Sequence, residues 1–160
     1  MLATSGPEGP DCSPRGDGAG FVAVLSPTEL ALPDRRGNNR IDSLRNVLHD
    51  PRVGLLFLLP GLGETLRVNG RAHISAEPEL LRSFAVNGKA PRTVLVVTVE
   101  ALYFQCSRAV VRADLWDPER HLAKDAVPSP GRILAAASPE RIDGESYDRE
   151  LPGRVKTTLY

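Results

Sequence analysis

The chain has 160 residues, enough for a domain with a core of its own. Lysine plus arginine and aspartate plus glutamate both number 20, so the formal charge is zero, which excludes a broad electrostatic footprint for nucleic acid. Two unpatterned cysteines, Cys12 and Cys106, and three scattered histidines form no metal motif, and the longest apolar run, Val53 to Leu59, is too short for a bilayer. The N-terminus lacks a basic region followed by a long apolar run, so a reduced, cytoplasmic setting is the expectation.

Leu2 to Ser5 predicts a strand, Gly6 to Pro10 a turn, and Cys12 onward a return strand with a loop to Asp17. Arg15 in that loop is either a phosphate contact or a solvated arginine. Phe21–Leu25 and Glu29–Pro33 predict a second hairpin around Ser26-Pro27-Thr28. A polar turn follows and opens a helix, with Asn39 as its expected N-cap, Asp42 at N3, and Ile41, Leu44 and Leu48 on its core-facing side. Asp50-Pro51 ends it.

Arg52 to Leu59 is apolar on alternate and intervening positions and predicts a central strand covered on both faces. Glu64 to Ser75 alternates, with Leu66, Val68, Gly70, Ala72 and Ile74 on one side and Arg67, Asn69, Arg71 and His73 on the other. Ala76-Glu77-Pro78 opens a short helix anchored by Leu80, Leu81 and Phe84. The β-branched run Thr93–Val99 predicts a strand that extends toward Phe104. Gln105 to Ala113 predicts a helix with Cys106, Ala109, Val110 and Ala113 on one face. Beyond 127, residues 132–137 predict a short helix and 144–151 one or two further turns. Hairpins followed by two long adjacent strands favour a mainly β, antiparallel barrel in residues 1–126, with 127–160 as a helical arm packing on the barrel or on a second subunit.

Chemistry concentrates in the turn at 34–40. Arg36 and Arg40, with Asn38 and Asn39 between them, stand at a helix N-terminus, where unpaired N–H groups and the helix dipole favour an anion. Guanidinium forks suit phosphate oxygens. A solvated basic turn is the alternative. No triad, nucleophile motif or P-loop is present. Cys106 is either a small core residue or a reactive thiol, Arg108 either a ligand contact or solvated, and Trp116 a core or interface residue. With no acid, base or nucleophile standing out, an enzyme built on this chain would take its chemistry from a bound cofactor.

Residues 34–46 (DRRGNNRIDSLRN), 50–57 (DPRVGLLF), 63–72 (GETLRVNGRA), 104–109 (FQCSRA) and 115–118 (LWDP) together resemble the pyridoxamine 5′-phosphate oxidase-like family of FMN-binding split β-barrels. Residues 13–17 (SPRGD), 128–131 (PSPG), 143–147 (DGESY) and 158–160 (TLY) resemble a bacterial subgroup of it with uncertain substrate. The resemblance implies a six-stranded antiparallel split barrel with flanking short helices, and a homodimer holding FMN at its interface. It implies phosphate contacts from Arg15 and from the Arg36–Arg40 turn, a flavin-lining role for Thr65 and Arg67, and Cys106 and Arg108 supplied by the second subunit. It also implies a further N-terminal segment ahead of Leu2; without it the start is misassigned or one barrel edge is frayed. The C-terminal Arg/His signature of the vitamin B6 enzymes is not found, so vitamin B6 synthesis is not expected. The function this implies is an FMN-dependent oxidoreductase acting on a small molecule or NAD(P)H; the alternative is a non-catalytic module that binds FMN or another anionic cofactor for sensing or storage.

Overall fold

The computed structural model describes residues 1–37, 40–123, 125–138 and 140–159. The chain divides into two compact units, Met1–Trp116 and Asp117–Tyr160. The first contains strands β1 (Leu2–Gly6), β2 (Gly9–Ser13), β3 (Ala23–Ser26), β4 (Glu29–Pro33), β5 (Arg52–Phe57), β6 (Thr65–Ser75) and β7 (Val94–Gln105), with helices α1 (Asp42–His49), α2 (Pro78–Ser83) and α3 (Arg108–Arg112). All pairings are antiparallel, in the order β2-β1-β5-β6-β7-β4-β3.

The seven strand segments legible in the residues are thus all present. The six-stranded barrel is corrected: the sheet has seven strands, and among the described residues no ladder joins its edge strands β2 and β3. Each short N-terminal hairpin stays paired to itself, so each leaves an outer strand at one edge of the sheet.

One core lies inside the curled sheet, where Leu2, Leu32, Val47, Val53, Leu55, Val68, Ala72, Leu95 and Val97 pack together. A second cluster, Ala31, Phe84, Val94 and Val96 with Leu80 and Leu81, lies where α2 covers the opposite side of β4 and β7. Successive residues of β7 therefore go to different cores, so the strand buried on both faces is the first half of β7. The stretch 52–59, expected to hold that role, does not, since Leu58 and Leu59 are 40% and 48% exposed.

The β6–β7 ladder runs from Thr65 paired with Gln105 to Ser75 paired with Val94, and is broken by a bulge beside Asn69 and Gly70. Gly70 is required there, because any Cβ would collide with the Thr98 carbonyl oxygen. The predicted helix at 105–113 is shorter than expected. Strand β7 continues to Gln105, α3 begins at Arg108, and only Val110 of its residues is buried. Cys106 is exposed rather than on a core face.

In the second unit, α4 (Pro130–Ala137) and α5 (Gly144–Thr158) follow a 3₁₀ turn at Pro118–Arg120. Ser129 and Asp143 cap the two helices, accepting from Arg132 N and from Glu145 N and Ser146 N. Ser129 Oγ also donates to Asp148, and Gly131 N donates to Asp148 Oδ1 at 2.8 Å, which ties the start of α4 to α5. Helix α5 is one continuous element of 15 residues that runs through Pro152, rather than one or two turns.

Candidate functional site: the turn before α1 and the β6–β7 ladder

Helix α1 packs on β1, β2 and β6 through a polar side that the hydrophobic pattern did not reveal. Ser43 and Val47 are its buried residues, whereas Ile41 and Leu48 are 55% and 78% exposed. The expected core face is corrected at Ile41 and Leu48, whereas Leu44 is half-buried beside core residues Leu2, Leu32 and Leu95. Ser43 Oγ lies 3.1 Å from Ser13 Oγ, and Asn46 Nδ2 donates to Thr4 Oγ1 at 3.1 Å. Thr4 and Ser43 are 5% and 4% exposed, so these are satisfied polar contacts inside the packing. Gly6 lies close under this helix, where a Cβ would displace the end of the Asn46 side chain.

The N-terminus of α1 is open. Ile41 holds the N-cap position in the left-handed region, at φ 55°, and no side chain caps the helix. A β-branched residue is costly in that conformation, which marks a locally constrained turn. The sequence-stated cap, Asn39, and its neighbour Asn38 lie outside the described residues. Among the described residues no side chain accepts from the N–H groups of the first turn, and a helix N-terminus beside a basic turn is an arrangement that favours an anion.

The four arginines around this turn are not equivalent. Arg35 is committed to the fold: its Nε donates to Asp17 Oδ2 at 2.5 Å and its Nη1 to the Phe84 carbonyl at 2.8 Å. Arg36 is exposed. Arg40 pairs with Asp42 at 2.7 Å, and its side chain is 72% exposed. Arg15, partly buried, lines a cavity of about 10 Å³ together with Leu2, Leu32, Pro33, Asp34, Leu44 and Leu95. Burial pushes the Asp34 carboxyl above the ordinary carboxylate range, and the charge of Arg15 works against that shift.

The other expected residues gather at the far end of the sheet. Arg67 donates to Tyr103 Oη at 3.1 Å and to Gln105 Oε1 at 2.8 Å, and its guanidinium lies 5.4 Å from the Tyr103 ring centre. Thr65 is paired with Gln105 and only 8% exposed. Cys106 follows directly, and Arg108 opens α3. Trp116 donates its indole N–H to the Leu62 carbonyl at 2.6 Å.

The two groups are connected across the sheet. Ser13, Leu2, Leu55 and Val68 form one row of paired residues over β2, β1, β5 and β6. Three strand spacings make about 14 Å. Arg15 stands two residues beyond one end of this row and Arg67 one residue from the other. The structure brings Arg15 to Asp34, and Thr65 and Arg67 to Tyr103 and Gln105. Tyr103 and Gln105 were not singled out in the sequence, although alternation along an extended β7 would have placed them opposite Arg67 and Thr65. Among the described residues, no group of three or more His, Cys, Asp or Glu could hold a metal ion, and no helix is long and apolar enough to cross a membrane.

An open, antiparallel, mainly β sheet with helices on its flanks and a basic turn at one helix end defines the class. The sequence over residues 1–106 matches the family model described as pyridoxamine 5′-phosphate oxidase. The chain belongs to that family. No curated protein matches it. Among solved structures, HupZ of Group A Streptococcus is similar over 67% of this chain and 84% of its own, at 16% identity and a TM-score of 0.54. A pyridoxinephosphate oxidase family protein from Clostridium acetobutylicum, related to general stress protein 26, aligns over 66% of this chain and 78% of its own, at 16% identity and a TM-score of 0.45. The conserved hypothetical protein Rv2991 of Mycobacterium tuberculosis aligns over 79% and 84%, at 19% identity and a TM-score of 0.45. The likeness to HupZ is one of fold.

Proposed function

We propose that this chain binds FMN as one half of a homodimer and serves as a flavin-dependent oxidoreductase acting on a small molecule or a nicotinamide nucleotide. The observation that carries the reading is the open N-terminus of α1 behind exposed Arg36 and Arg40. Arg36 and Arg40 flank the start of α1 in sequence, and helix N–H groups with guanidinium forks are chemically suited to a phosphate monoester. The Arg40–Asp42 pair is solvent-exposed, and an exposed ion pair contributes little to stability. Membership of the oxidase family supports the flavin as the owner of that phosphate.

When bound, the flavin supplies the centre that accepts and gives up hydride. The chain supplies binding and charge. Arg36, Arg40 and Arg15 offset the phosphate charge. Arg67, held against Tyr103 and Gln105, presents a fixed positive charge where the ring would lie, and Thr65 lines the same ladder. Cys106 and Arg108 would close the cleft from the second subunit. The apolar surface around that end of the ladder supports a dimer, since Leu62, Leu102 and Phe104 are 53%, 57% and 76% exposed.

The test is direct. FMN added to purified protein should lose fluorescence on binding, with saturation at one FMN per chain. NADH or NADPH should then bleach the bound flavin, and air should restore the colour. Absence of FMN uptake overturns the proposal. Uptake without bleaching by either nucleotide turns the reading to the non-catalytic binding module.

A further inference from the structure

We infer that Asp17 and Arg35 are positioning residues that hold the two halves of the phosphate site together. This rests on the FMN reading of the basic turn. The cations of that site come from two loops. Arg15 lies in the loop after β2, and Arg36 lies in the loop after β4. Four strands separate β2 from β4 in the sheet, and among the described residues no ladder joins them. The two loops are instead joined by side chains. Asp17, two residues from Arg15, receives Arg35 Nε at 2.5 Å, and Arg35 is the direct neighbour of Arg36. The pair is sequestered, at 5% side-chain exposure for Asp17 and 18% for Arg35. It is anchored at both ends. Asp17 Oδ1 accepts the Gly18 N–H at 2.7 Å, and Arg35 Nη1 reaches the carbonyl of buried Phe84 at 2.8 Å. The backbone beside it is also fixed, because Asp34 N donates to the Thr93 carbonyl at 2.9 Å.

The consequence is a division of labour among adjacent arginines. Arg35 spends its donors on the protein, which leaves Arg36 directed to solvent and sets its spacing from Arg15. Among the described residues, charge rather than a ladder joins these two loops.

Removing one partner breaks a sequestered charge pair and can unfold the chain, whereas replacing both by apolar residues of similar size is often neutral for stability. The experiment therefore compares three proteins with the parent: Asp17→Asn, the double variant Asp17→Leu with Arg35→Met, and Arg35→Lys. Two readouts are taken, amide hydrogen exchange at Gly16–Gly20 and Asp34–Gly37 without ligand, and the FMN dissociation constant. The double variant should keep a cooperative urea transition, exchange faster in both loops, and bind FMN at least tenfold more weakly. Arg35→Lys preserves the charge pair and should stay within about threefold of the parent. An unchanged dissociation constant in a folded chain lacking the pair overturns the inference. So does failure of both pairless variants to fold, because the pair would then serve stability alone. A parent that takes up no FMN instead sinks the cofactor reading, and the positioning role is then judged by loop exchange: unchanged rates in the double variant overturn it.

Discussion

At the scale of single residues, identical neighbours do different work. Arg35 and Arg36 are indistinguishable in sequence, yet one is half-buried against Asp17 and the other is exposed. The basic character of the turn was legible. Its partition was not, because Arg35 is claimed by residues 18 and 49 positions away. Arg40 belongs to the exposed set, so replacing it tests the site. Arg40→Ala should weaken FMN binding by about 1.5–3 kcal/mol, the range for a hydrogen bond to a charged group. Fluorescence titration at constant salt measures it, with the unfolding midpoint of the ligand-free protein unchanged.

Two carboxylates give opposite pH signatures. Burial raises Asp34 above its ordinary 3.8, against the pull of Arg15, so the folded chain binds that proton more tightly than the unfolded chain. Its cost to stability grows as pH rises from 3.8 through the raised value and persists at neutral pH. Asp34→Asn should therefore raise Tm at pH 7, with the gain vanishing below pH 3.8. Asp50 is lowered to about 2, chiefly by the hydrogen bond from the Arg52 side chain. Its contribution is complete above 3.8 and lost as pH falls through about 2, so Asp50→Asn should flatten the acid limb of the Tm profile.

At the scale of elements, hydrophobic pattern located strands better than helix faces. Alternation found β6, and β-branched density found β7, because those signals are backbone preferences reinforced by burial. Helix α1 defeated the same logic. Its inner side is built from Ser43, Leu44, Asn46 and Val47, and polar contacts to Ser13 and Thr4 do part of what apolar packing does elsewhere. Leu48, the residue that a hydrophobic reading buries first, points away. Val47→Ala should therefore cost about 1.5–3 kcal/mol, the value of burying a valine-sized side chain. Leu48→Ala in the monomeric state should change stability by less than about 0.5 kcal/mol. Paired urea titrations of the two variants decide which face is buried.

At the scale of the whole molecule, the apolar surface at the end of β7 bears on assembly. Leu102 and Phe104 lie two apart on one strand, hence on one side of it, and both are largely exposed. Phe104→Glu should shift a dimer toward monomer in sedimentation at micromolar protein and lower FMN uptake in parallel. A parent chain that sediments as a monomer at all concentrations removes the second subunit from the site. The family was legible from motifs spread along the chain, whereas strand closure was not, because the absence of a β2–β3 ladder depends on geometry that no local residue states.

The strand order has a kinetic consequence. Three pieces are local in sequence: the β1–β2 hairpin, the β3–β4 hairpin and the β5–β6–β7 meander. Two seams join them, β1 to β5 and β4 to β7, and both must close long loops before any contact rewards them. The meander is therefore the natural nucleus and the seams are the late events. The basic turn sits on the segment from β4 to β5, which links the two seams, so the place that would hold a phosphate is completed only when folding is nearly done. A ligand bound there acts on a structure absent from the transition state. It should slow unfolding in stopped-flow measurements while leaving the refolding rate where it was.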